Sequence, residues 1–160
     1  MSGLVPFGGE SAWFAVRDRA QAEVVEALGL TDGQVVPVDE AVAAAQAGQT
    51  AVLPPLPGVG GRWTLVVGQD AVDPSARRVS TLSALLATEV QAFWGRHDGS
   101  RRCLSADRGT LGPAEDVDGE IGGLAAAWSI DPTRLTGPAP GEAILVGPLR
   151  PEAPEPAEPP

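Results

Sequence analysis

Apolar residues recur along the chain with two different periods, and the switches between them mark the elements. Residues 12–16 (AWFAV) form a short apolar run of strand type. Asp18 stands where a helix N-cap belongs, and Gln21, three residues later, completes a capping box. Val24, Ala27 and Leu28 then fall on one helical face, and Gly29-Leu30 fits a left-handed stop with its apolar contact. Residues 35–38 predict a second strand, which Pro37 moves towards a sheet edge. Asp39 opens a second helix through the alanine run, closed by Gly48, and residues 51–53 form a third strand. The loop 54–61 (PPLPGVGG) turns the chain, and 63–67 (WTLVV) return as a fourth strand.

The second half changes rhythm. Asp73-Pro74-Ser75 is a turn, and Ser80 or Thr81 caps a third helix with Leu82, Leu85, Leu86 and Val90 on its apolar face. From Val90 the pattern becomes extended through Phe93 and Trp94. Asp98-Gly99 signals a hairpin there, with Cys103 and Leu104 on the returning arm. Asp118 caps a fourth helix carrying Ile121, Leu124, Ala125 and Trp128, which Asp131-Pro132 ends. A Pro/Gly-rich stretch, 136–141, leads to a final apolar run, 143–146. Four helices and six or seven strands follow from this pattern. Crossover units in the first half and hairpins after them predict an α+β fold. It is a single mixed or antiparallel-rich sheet with about four helices packed mainly on one face. Residues 1–150 make one domain, and 151–160 (PEAPEPAEPP) make a disordered, extended Pro/Glu-rich tail.

Composition removes many chemistries. Of 160 residues, 43% are hydrophobic, enough for a packed core, while 20 Gly and 16 Pro require many turns. All 11 basic residues are Arg; there is no Lys, Asn or Tyr. A P-loop lysine, a Schiff base and a phenolic nucleophile are therefore excluded. With one His and one Cys, the chain alone cannot build a four-Cys, mixed Cys/His or three-His zinc site, nor a disulfide. Gly58, Gly60 and Gly61 precede a strand-like run rather than a helix, so they predict a hairpin and not a phosphate loop. Asp107, Glu115, Asp116, Asp118 and Glu120 lack the order of a calcium loop and read as a solvated acidic loop. No metal and no cofactor is expected.

Charge and hydropathy set the partners. A net charge of -10 opposes binding to nucleic acid and to anionic lipid. No apolar run reaches membrane-spanning length, the first ten residues carry no positive charge, and the single thiol fits a reducing interior. The expectation is a cytoplasmic protein.

Two groups of residues carry candidate function. His97 and Cys103 would face each other across a hairpin with a three-residue loop, as an activated thiol requires. A two-residue Asp-Gly turn would instead set Trp94 opposite Cys103, leaving a buried thiol and a surface histidine. Trp13, Trp63, Trp94 and Trp128 are the largest apolar residues in a chain with 4% aromatics. Trp128 lies on a helix face; Trp63 and Trp94 are the candidate partner-binding anchors, with core packing as the other reading.

Leu82-Ser83, residues 89–93 (EVQAF) and residues 127–132 (AWSIDP) give about half the chain a resemblance to small uncharacterised proteins of high-GC soil bacteria. That resemblance implies no activity. The leading expectation is a non-enzymatic protein-binding domain, in its most concrete form an immunity-type inhibitor of a basic protein. The alternative is a small hydrolase using the Cys/His pair or a carboxylate-bound metal.

Overall fold

Strand β1 (Trp13–Arg17) is buried on both sides: Trp13 and Ala15 enter one core, Phe14 and Val16 the other. Such a strand must lie inside a sheet covered on both faces, and in the computed structural model it does. The structure describes residues 4, 12–30, 33–68, 76–95, 100–118, 128–130, 135, 137 and 139–146. Within them β1 is followed by α1 (Gln21–Leu28), β2 (Gln34–Val36), α2 (Val38–Gln46), β3 (Thr50–Val52), β4 (Leu56–Gly58) and β5 (Gly61–Val67). Then come α3 (Ala76–Leu86), β6 (Glu89–Gly95), β7 (Ser100–Asp107), β8 (Thr110–Asp118) and β9 (Ala143–Val146).

All nine described strands join one antiparallel sheet in the order β2-β9-β3-β5-β1-β6-β7-β8, with β4 pairing β5 beside β3. The α+β expectation holds at this level, with three described helices rather than four. The expected fourth helix falls largely on residues outside those described, as do the 73–75 turn and the 151–160 tail. Strand β2 does lie at the sheet edge, where Pro37, which has no N–H to donate, follows it. The run 143–146 is inserted between β2 and β3, so the last described strand closes the first half of the sheet.

The helices do not gather on one face. Val24 of α1 and Val79, Leu82 and Leu86 of α3 pack with Phe14, Val16, Val66 and Val90. Val38, Ala41, Val42 and Ala45 of α2 pack on the opposite face with Trp13, Leu53, Leu65 and Trp63. Their spacing of three, four and seven residues makes the buried stripe of α2, and the alanines let it lie close to the sheet. Trp13 stacks on Phe93 with ring centroids 5.0 Å apart, and Trp128 meets Phe93 edge-on at 6.0 Å. No helix among the described residues is long and apolar enough to cross a membrane.

Local chemistry explains the turns, including those the sequence pattern misplaces. Helix α1 begins after Ala20, whose N–H donates to the Glu23 carboxylate at 3.0 Å. Gln21 does not cap the helix; its amide donates to the carbonyls of Val52 and Glu142, both at 2.9 Å. Asp18 is not the cap either. It is left-handed, with φ 52°, and its carboxylate accepts the Arg62 N–H at 3.0 Å. The stop at Gly29 is as expected: φ is 72°, and the Leu30 N–H reaches back to the Val25 carbonyl at 3.1 Å.

Helix α3 ends the same way without a glycine. Ala87 has φ 54°, and the Thr88 N–H donates to the Ser83 carbonyl at 3.2 Å. At the β7–β8 turn Arg108 has φ 50° and Gly109 has φ 91°, the two positive angles of a type I′ hairpin. Both Ala87 and Arg108 occupy angles that favour glycine or asparagine. Ala87→Gly and Arg108→Asn should therefore each raise stability by about 0.5–1 kcal/mol. A rise in melting temperature of a few degrees would register it.

The loop 54–61 is a hairpin, as expected: β4 and β5 pair with Gly58 opposite Gly61. A Cβ at Gly58 would lie 2.6 Å from the Ser129 carbonyl oxygen and 2.7 Å from Ile130 and Trp63 side-chain carbons. Only glycine lets this hairpin close over residues 129 and 130.

Candidate functional site

The surface groove between α1 and α3 is the candidate site, and it follows from how each helix is oriented. Val24 turns into the core, so Glu23, Glu26 and Ala27, spaced by three and four residues, share a flank of α1. On α3 the inward stripe is Val79, Leu82, Ser83 and Leu86. Leu85 lies off that stripe and is 64% exposed, which corrects its expected place in the core. The helix begins at Ala76, several residues before the expected cap, so Ser80 and Thr81 lie in its interior and Val79 joins the buried face.

Glu23, Glu26, Ala27, Leu85 and Leu86 line a cavity of about 350 Å³. Its lining is about evenly polar and apolar; among the described residues its charged lining groups are two carboxylates, and neither is in an ion pair. The neighbouring Arg19 does not neutralise them through contact. Its guanidinium donates to the carbonyls of Leu86 and Asp18, each at 2.8 Å, and of Ala87 at 3.1 Å. Arg19 thereby ties the start of α1 to the end of α3 and fixes the groove's width.

A second cavity, of about 270 Å³, opens beyond Arg19 among three turns. Here, among the described residues, three Arg face three acids. Arg17 lies 3.5 Å from Glu89 and 3.7 Å from Asp18, and Arg108 lies 3.4 Å from Asp107. Thr88 donates to the Arg17 carbonyl at 2.9 Å, and Arg17 to the Gly60 carbonyl at 2.6 Å. The charges are balanced within the chain, and the site reads as a joint between turns.

The residues singled out from sequence lie elsewhere. Trp63 is 1% exposed; its indole N–H donates to the Val59 carbonyl at 2.9 Å, and the Arg17 guanidinium carbon lies 6.0 Å from its ring centroid. It belongs to the core and offers no side-chain contact surface. Trp94 is half-buried beside the opposite core. Cys103 is fully buried, opposite Phe93 on one side and Glu115 on the other. That register is neither of the two considered from sequence: the strand partner of Cys103 is neither His97 nor Trp94. His97 itself lies outside the described residues. With no path for solvent, Cys103 should react slowly with iodoacetamide in the native protein and rapidly in denaturant. Mass spectrometry of a timed labelling series measures both rates.

Of the acidic residues expected in a loop, Glu120 lies outside the described residues and the other four are strand residues. Asp107 ends β7, and Glu115, Asp116 and Asp118 lie within β8. Among the described residues no group of three or more His, Cys, Asp or Glu could hold a metal ion. Sequence reasoning missed Glu23 and Glu26 as a site because two carboxylates on a helix are ordinary. Their significance comes from Leu85 across the groove.

No protein-family model matches the sequence, and no curated protein or solved structure matches it either.

Proposed function

We propose that the chain is a non-enzymatic protein-binding domain whose partner is a basic protein. The observation that carries this reading is the groove, where an exposed leucine faces two carboxylates that form no ion pair among the described residues, on a protein of net charge -10. Charge of one sign steers a partner of the other to the surface, and a partly exposed apolar residue supplies contact energy once it is covered. The most concrete version is an immunity-type inhibitor, a small acidic domain that occludes a basic protein.

The test begins with the immobilised full chain in lysate of the native host at low salt, followed by purification of the retained protein. That protein should be basic, should associate more slowly as salt rises, and should be lost with the Glu23→Lys/Glu26→Lys chain. An acidic partner, or retention indifferent to both salt and charge reversal, overturns the reading.

A further inference from the structure

The groove between α1 and α3 has two chemically different halves. Ala27, Leu86 and Leu85 supply apolar surface, while Glu23 and Glu26 supply negative charge. One helical turn separates the two glutamates, which places their Cβ atoms about 5–6 Å apart on the same flank. One Glu23 oxygen accepts the Ala20 N–H at 3.0 Å, so its carboxylate is anchored, and among the described residues no hydrogen bond engages its other oxygen. Arg19, the basic residue at this end of the groove, has its donors directed at three backbone carbonyls.

A long side chain with an apolar stem and a cationic head satisfies both halves at once. Arginine suits it better than lysine. Its planar fork can bridge two acceptors, and its charge is less strongly hydrated, so an apolar wall removes less from it. We propose that this groove is a receptor for one arginine side chain of the partner, its stem against Ala27 and Leu86 and its guanidinium between Glu23 and Glu26. An apolar residue beside that arginine covers Leu85. This proposal rests on the protein-binding reading and specifies what is recognised.

The test is an NMR titration of the uniformly labelled full chain with the dipeptide N-acetyl-leucyl-arginine amide. Its lysine and citrulline counterparts serve as comparisons, citrulline keeping the shape and losing the charge. The arginine peptide should shift amides of residues 23–28 and 84–87 saturably. The lysine peptide should bind about threefold more weakly and the citrulline peptide at least about tenfold more weakly, as expected for a charge-assisted pair. Glu26→Gln should weaken the arginine peptide without changing the fold, which the unperturbed remainder of the spectrum reports. Absence of shifts, shifts centred elsewhere, or equal binding of arginine and citrulline peptides overturns the proposal. If the peptide fails while the captured partner still binds in a salt- and charge-dependent way, only the arginine pocket is wrong. If both fail, the protein-binding reading falls as well.

Discussion

Replacing Trp63 by alanine should lower the free energy of unfolding by about 3–5 kcal/mol, because a fully buried large side chain is removed and the cavity closes only partly. The indole is 1% exposed, and Gly58 brings the β4–β5 hairpin and residues 129 and 130 close around it. Its N–H satisfies the Val59 carbonyl at 2.9 Å, and the truncation removes that partner too. Domains of this size are stable by about 5–15 kcal/mol, so the variant should be close to the limit of folding. Urea unfolding followed by circular dichroism gives the difference. Trp63→Phe should lose less, since it keeps most of the ring contact. A loss below about 1 kcal/mol in Trp63→Ala, together with faster release of the partner, would return Trp63 to the role of an interface anchor.

Leu85→Asp should do the reverse, leaving the fold intact and removing the partner. At 64% exposure Leu85 contributes little to the core, so the stability change should stay within about 0.5 kcal/mol. An added carboxylate would sit where the partner's apolar residue must pack, with Glu23 and Glu26 already across the groove. The dissociation constant for the captured partner should rise at least about 30-fold, the loss of about 2 kcal/mol that marks an interface hot spot. Unchanged affinity with unchanged stability would remove the groove from the interface. Glu26→Lys should follow the same pattern; Glu23 is the poorer choice for a stability control, because its carboxylate also accepts the Ala20 N–H.

The elements whose signals are local were legible in the sequence. Gly29-Leu30 stops α1 by the expected left-handed geometry, and Pro37 follows an edge strand. The run 54–61 is a hairpin. Other turns use residues that give no such signal. The β7–β8 hairpin turns on Arg108-Gly109 in place of Asn-Gly, so the sequence pattern there carries no hairpin signal and β8 resembles an acidic loop. Ala87 does at the end of α3 what Gly29 does at the end of α1, in a residue type that ordinarily continues a helix. The two-sided cover of the sheet did leave a trace: AWFAV and WTLVV are continuous apolar runs, whereas a sheet open on one face alternates. Pairing of β9 between β2 and β3 depends on contacts far apart along the chain, and no local pattern encodes it.

The candidate site was illegible for a related reason. Leu82, Leu85 and Leu86 all fit a helical stripe if α3 begins at Ser80, and only Val79 in the buried face shows that Leu85 is the outlier. Glu23 and Glu26 gain meaning from a helix some sixty residues later in the chain. Cys103 and the tryptophans drew attention by rarity, and burial of Cys103, Trp13 and Trp63 accounts for those side chains by packing.

Electrostatic recognition through the groove is measured by the association rate of the purified partner against salt, for the wild type and for Glu23→Gln/Glu26→Gln. Between about 0.01 M and about 1 M salt the Debye length falls from about 30 Å to about 3 Å, which switches steering off. The wild-type rate should fall at least about tenfold across that range. The double variant should associate more slowly at low salt and converge on the wild type at high salt. Identical, salt-independent rates for the two proteins would contradict electrostatic recognition through the groove.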